Sequence, residues 1–190
     1  MRVRETGLAG VWIVDVDPSS DERGLFARTF DAEEFRERGL STDMVQCSTS
    51  FNTREGTLRG MHHQAGEHAE CKLVRCTAGA VYDVLVDLRD DSPTHAGWEA
   101  VELSAADRRA VYVPRGVAHG FQTLVAGSEL LYMIDRPFVP AAARGVRWDD
   151  PAFGIEWPEP GGERTMSERD RSFPDYVDPD VALAHRTRRR

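Results

Sequence analysis

Residues 44–134 break into short runs rich in β-branched and aromatic side chains, separated by turn residues. The runs fall at 44–51, 57–63, 71–76, 80–87, 98–103, 110–113, 120–124 and 130–134, with a further run at 11–16. Many short strands at regular spacing predict a mainly β fold, a sandwich or barrel, and about eight strands suit a jelly-roll β-barrel. Ala78-Gly79 reads as a hairpin turn, and Asp17-Pro18-Ser19-Ser20, Ser92-Pro93 and Pro114-Arg115-Gly116 read as turns and loops.

The flanks are different. Asp31 reads as a helix cap, with Glu34 three residues on and Gly39 as the stop, so a short helix precedes the barrel. Phe26 and Phe30 are expected to anchor this region in the core. Residues 147–176 are rich in Trp, Asp, Pro and Gly, which predicts loops and short helices over the barrel, pinned by Trp148 and Trp157. One domain is expected over 1–185, followed by a basic tail at 186–190.

Composition removes several function classes. The chain has 190 residues, of which 41% are hydrophobic, and a net charge of −8. An acidic surface argues against broad nucleic-acid binding. No run reaches membrane length and the N-terminus lacks a basic-then-apolar signal pattern. Cys47, Cys71 and Cys76 are odd in number and have no C-x-x-C spacing, as expected of reduced thiols in a cytoplasmic protein.

The chemistry concentrates in residues 56–72, which hold Arg59, His62, His63, Gln64 and Lys72 among glycines. Strict alternation along a strand would put Arg59 and Met61 on one face, and Gly60 and His62 on the other. The stretch reads either as a pocket wall or as a polar edge strand. The ordinary pKa of a histidine lies near working pH, so His62 suits proton abstraction, Lys72 suits a developing oxyanion, and Tyr132 can donate a proton from another strand.

Gly56 followed by His62, together with Pro114-Arg115-Gly116-Val117-Ala118-His119, resembles the two signature segments of the cupin superfamily, whose barrels often bind a metal. The metal segment departs here, because His62-His63-Gln64 replaces His-x-His and adjacent strand residues face apart. His62, Glu67 and His119 remain a weak alternative site. No metal is expected.

The full set of landmarks resembles the dTDP-4-dehydrorhamnose 3,5-epimerase family within that superfamily, over residues 21–170. They include Asp21-Glu22-Arg23-Gly24-Leu25-Phe26, Gly56 through Gln64, Lys72-Leu73-Val74, Asp87-Leu88-Arg89, Ser92-Pro93-Thr94, Val113 through Phe121, Trp148-Asp149-Asp150-Pro151, Ile155-Glu156-Trp157-Pro158 and Ser167-Glu168-Arg169-Asp170. The resemblance implies a cupin-type jelly roll that epimerises C3, C5 or both on a nucleotide-linked 4-keto-6-deoxyhexose, with no cofactor. It implies His62 as base, paired with Asp170; Lys72 on the enolate oxygen; and Tyr132 returning a proton from the opposite face. Arg23, Arg59, His119 and Arg169 are implied as diphosphate contacts, and Phe138 as the ring that stacks on the nucleotide base. Gln46 and Ser48 are implied as further substrate contacts. A homodimer is implied in which N-terminal strands cross over, so that Arg23 and Phe26 serve the partner's pocket.

Three positions depart from the family pattern. Arg28 stands where a glutamate is common, Gln46-Cys47-Ser48 replaces Gln-x-Asn, and Ala143 stands near another expected glutamate. All three fall in the implied substrate-contact set while the proton-transfer set is intact, so the epimerase chemistry on a dTDP sugar is the expectation and a different sugar or nucleotide the alternative. A mono-epimerase, a ketoisomerase, a metal-dependent cupin enzyme and a non-catalytic binding module are the alternatives.

Overall fold

A computed structural model describes residues 1–177, so the basic stretch 186–190 lies outside the described residues. The strands are β1 (Arg2–Glu5), β2 (Trp12–Asp15), β3 (Ser19–Asp21), β4 (Gly24–Phe26), β5 (Gln46–Asn52), β6 (Leu58–Gln64), β7 (Lys72–Ala78), β8 (Ala80–Asp87), β9 (Trp98–Ser104), β10 (Ala110–Val113), β11 (Val117–Thr123), β12 (Ser128–Ile134) and β13 (Ala143–Gly145). The helices are α1 (Ala32–Glu37) and α2 (Glu168–Arg171). One antiparallel sheet runs β1-β2-β10-β7-β12-β5, a second runs β13-β6-β11-β8-β9, and β3 and β4 form a separate hairpin. This is the mainly β, cupin-type architecture that the spacing and the resemblance predict.

The two sheets bury a shared interior of Val11, Ile13, Val74, Val81, Leu85, Val111, Phe121 and Leu130, with Tyr132 packed against it. Each sheet is also covered on its outer face. Phe35 of α1 packs with Leu73, Ala110 and Tyr112 outside the first. Met61, Val84, Val86 and Ala118 are covered outside the second by Phe153, Ile155, Trp157 and Tyr176. Burial on both faces explains why 80–87 reads as a nearly continuous apolar run without alternation. Asp31 caps α1 by accepting from the Glu33 and Glu34 backbone N–H groups. The Glu34 side chain does not close a capping box and instead pairs with Arg38 at 2.8 Å.

Several expectations need correction. Ala78-Gly79 does not close a hairpin: β7 and β8 lie in different sheets, and the chain crosses the barrel edge there with Gly79 at φ +68°. Ser19 and Ser20 are strand residues, because the 19–26 segment folds on itself as the β3–β4 hairpin. Phe26 is not a core anchor. It is 78% exposed on that hairpin, which stands clear of all three apolar clusters, whereas Phe30 packs on Phe35 with ring centroids 4.9 Å apart.

Alternation also fails within β6. His62 pairs with His119 and Arg59 with Phe121, so Gly60 and Met61 together stand opposite Gly120. That extra residue is a β-bulge, and it returns Arg59 and His62 to one face while Met61 turns outward. Both strands need glycine here: a Cβ on Gly60 would lie 2.6 Å from Gly120 Cα.

Candidate active site

The inner faces of the two sheets diverge around a cavity of about 660 Å³. From the second sheet it is lined by Arg59, His62, His63, Gln64, His119, Phe121 and Ala143; from the first, by Gln46, Ser48, Lys72, Tyr132 and Ile134. The segment from Thr165 to Asp170 closes one side.

That closing segment is held by backbone. Leu58 N–H donates to Thr165 O at 2.9 Å, and Thr165 N–H donates to Gly56 O at 3.0 Å. Gly56, at φ +70°, lies under Pro160, and a Cβ there would approach Pro160 Cβ to 2.8 Å. Ser167 then caps α2 by accepting from Asp170 N–H at 3.1 Å. The result puts Asp170 Oδ1 2.7 Å from His62 Nε2, while Gly60 N–H donates to Asp170 Oδ2 at 3.3 Å. Burial alone would raise the Asp170 carboxyl pKa. The His62 hydrogen bond and charge, with the Gly60 and Ser167 contacts, outweigh burial and hold it below the usual carboxylate value. The Asp170 side chain is only 6% exposed, whereas His62 is 42% exposed and faces the cavity.

Lys72 reaches across from the first sheet. Its ammonium lies 3.0 Å from Glu70 Oε1 and donates to the His62 carbonyl at 3.3 Å. Tyr132 enters from β12 and meets the His119 ring edge-on, with centroids 5.8 Å apart. Burial pushes the Tyr132 phenol well above its ordinary pKa, the Asp83 charge adds to this and Arg59 opposes it, so the phenol keeps its proton at neutral pH. His119 is buried and bonds Asp83 at 2.7 Å, and burial raises the Asp83 carboxyl against the pull of His119.

The other sequence-predicted positions divide into two groups. Gln46, Ser48, Arg59, Phe138, Ala143 and Arg169 all line the cavity. Arg59 Nε donates to Asn52 at 2.7 Å, Gln46 Oε1 accepts from Phe138 N–H at 2.9 Å, and Arg169 stacks over Phe173 at 5.9 Å. Arg23, Phe26 and Arg28 lie outside it: Arg23 pairs with Asp21, and Arg28 pairs with Asp31. Trp157 donates to the Trp148 carbonyl at 2.8 Å, in the packing role expected of that pair. Glu67 is 90% exposed at its side chain, and His62 and His119 bond different carboxylates, so the three do not converge. Among the described residues, no group of three or more His, Cys, Asp or Glu is arranged to hold a metal ion.

Sequence reading missed Glu70, Asp83, Arg136 and Arg144. Asp83 carried a usable signal, since a lone carboxylate between Val81 and Leu85 in an apolar strand needs a buried partner. Glu70 and Arg136 have charged residues within two positions and carried no such contrast, whereas Arg144 stands alone after Ala141-Ala142-Ala143 and carried the same contrast as Asp83.

An imidazole held by a carboxylate, an ammonium paired with Glu70 and a protonated phenol meet from two sheets at one cavity. The family model for dTDP-4-dehydrorhamnose 3,5-epimerase matches residues 5–178. The chain belongs to the dTDP-4-dehydrorhamnose 3,5-epimerase family. It is thus an isomerase of the family that epimerises dTDP-linked keto-deoxysugars. The Sinorhizobium fredii dTDP-4-dehydrorhamnose 3,5-epimerase is 37% identical over 185 residues, covering 97% of this chain and 94% of that protein. The crystal structure of the Elizabethkingia anophelis epimerase superposes with a TM-score of 0.90 at 36% identity, covering 94% of this chain and 98% of its own. A 3'-monoepimerase from Streptomyces bikiniensis, solved in complex with dTDP-quinovose, superposes with a TM-score of 0.83 at 32% identity, covering 96% and 89%.

Proposed function

We propose that this epimerase inverts C3, C5 or both of a dTDP-linked 4-keto-6-deoxyhexose through an enolate. The single observation that carries the reading is the His62–Asp170 pair, open to the cavity that Lys72 and Tyr132 enter from the facing sheet. The substrate's C4 carbonyl acidifies the protons on C3 and C5. His62 takes one of them as general base, and Asp170 orients the imidazole and stabilises its charged form. Charge gathers on the C4 oxygen, where the Lys72 ammonium donates a hydrogen bond. Tyr132 returns a proton from the opposite side, which inverts the carbon. His62 then releases its proton to solvent and the phenol regains one. The ketone is its own electron sink, so no cofactor enters.

Arg59 and Arg169 suit the diphosphate, because a guanidinium donates paired hydrogen bonds to phosphate oxygens. His119 stands deeper beside Tyr132 and contributes a polar wall, and Phe138 at the mouth, 59% exposed, offers a face for the nucleotide base. A homodimer completes the site: the β3–β4 hairpin carries Arg23 and Phe26 into a second copy's cavity. Two exposures support this. Phe26 is bare on the hairpin, and β5 is a seven-residue edge strand with Phe51 56% exposed. Free thiols at Cys47, Cys71 and Cys76 fit a cytoplasmic setting, and no described helix is long and apolar enough to cross a membrane.

The test is proton NMR in D2O with dTDP-4-keto-6-deoxyglucose. Loss of the C3 and C5 signals supports double epimerisation, and loss of one supports a mono-epimerase. Ser48 and Ala143 in the cavity wall favour keeping that second reading. Retention of both signals contradicts the proposal for this substrate.

A further inference from the structure

Glu70 is the buried charge that the mechanism above leaves unused. It stands between the 3-10 turn Gly66–His68 and β7, lines the catalytic cavity, and has a side chain only 6% exposed. Oε1 is 3.0 Å from the Lys72 ammonium, whereas Oε2 is buried and has no hydrogen-bond partner. A buried carboxylate is stable only when its lone pairs find donors, and the ion pair meets just one oxygen. The Lys72 ammonium has three N–H bonds. Glu70 and the His62 carbonyl occupy two directions, leaving one for a ligand.

We infer that Glu70 is a specificity-determining residue: on substrate binding its carboxylate turns toward the cavity and its second oxygen accepts a hydrogen bond from the substrate hydroxyl next to the ketone while Lys72 donates to the ketone oxygen. The inference rests on the proposed epimerase reading. Its chemistry follows from what flanks the C4 oxygen in a 4-keto-6-deoxyhexose. C5 carries a methyl group and the ring oxygen, neither of them a donor, and C3 carries a hydroxyl. An oxygen acceptor beside the ammonium therefore meets the C3 hydroxyl. In an enolate formed at C3, both oxygens lie in the plane of the double bond, so an ammonium and a carboxylate side by side match that edge. Glu70 also positions Lys72, whose flexible four-carbon stem would otherwise sample many rotamers. A site built to bind a hydroxyl discriminates strongly against the analogue that lacks it, since its polar group is then left buried and unpaired.

The experiment measures kcat/KM for deuterium exchange beside the ketone, using dTDP-4-keto-6-deoxyglucose and its 3-deoxy analogue. Wild type, Glu70→Met and Glu70→Gln are compared, with folding checked by thermal unfolding. The ratio of the two kcat/KM values removes any uniform loss of Lys72 positioning. That ratio should fall by about tenfold or more in Glu70→Met, because its side chain has no oxygen acceptor. It should fall by a smaller factor in Glu70→Gln, a near-isosteric change that still accepts through its amide oxygen and keeps the comparison open if the Met variant does not fold. An unchanged ratio in the folded variants, even with both rates lowered, overturns the inference and leaves Glu70 a structural ion-pair partner. A wild type that exchanges neither substrate overturns the epimerase reading itself, which is a distinct result.

Discussion

His62 Nε2 and Asp170 Oδ1 lie 2.7 Å apart although 108 residues separate them in the chain. The contact depends on the Thr165 bridge to Thr57 and on the Ser167 cap, which together hang α2 over β6. Asp170→Asn keeps the shape and removes the charge that stabilises a protonated imidazole. We expect kcat to fall by about 10²- to 10⁴-fold with KM little changed. Steady-state kinetics check this, and a KM effect alone would assign Asp170 to binding.

Tyr132→Phe separates the two proton transfers. Abstraction by His62 survives in this variant, so substrate protons still exchange with D2O. Re-protonation from the opposite face fails, and accumulation of the epimer should drop by about 100-fold or more relative to exchange. NMR follows both in one tube, and equal losses of exchange and product would contradict the role given to the phenol.

The dimer is tested by mixing two inactive variants. Arg23→Ala alters the β3–β4 hairpin proposed to cross between copies, and His62→Ala removes the proposed base from a cavity. If hairpins cross between copies, a mixed dimer regains one intact cavity. Equimolar mixing after subunit exchange should then restore about a quarter of wild-type activity, since half the dimers are mixed and each has one good site. No recovery, with subunit exchange verified independently, would place Arg23 outside the partner's site.

His63 links stability to pH. Burial is the main cause and the Lys72 charge adds to it, pushing the His63 pKa from 6.5 down to about 4. The unfolded chain therefore binds more protons between those values. This contribution to stability is complete above about pH 6.5 and is lost as pH falls towards 4. His63→Phe should show a smaller drop in Tm between pH 7.5 and pH 5 than wild type. Identical drops would mean that His63 titrates normally in the folded protein.

Much of the barrel was legible in the sequence because its strands are short, apolar and punctuated by Gly and Pro. The α1 cap at Asp31 was equally plain. What escaped was structure decided by partners distant in sequence. The β6 bulge depends on Gly120 meeting Gly60, so alternation misplaced Arg59 relative to His62. The crossing at Gly79 depends on which sheet each flanking strand joins, and a local turn signal cannot report that. Within the site, His62, Lys72 and Tyr132 were found through their chemistry, and Asp170 through the family pattern. Glu70 escaped because nothing in its polar surroundings announces its burial, whereas Asp83, inside the apolar run of β8, carried a signal of burial that names no partner.

The central claim is that His62 removes a proton from carbon beside the substrate ketone. The most direct measurement is the deuterium exchange rate of dTDP-4-keto-6-deoxyglucose in D2O, compared between wild type and a His62→Ala variant of unchanged Tm. The account predicts exchange at C3, C5 or both with wild type, and exchange in His62→Ala no faster than in buffer alone. Exchange that persists in the folded variant at near wild-type rate would contradict it.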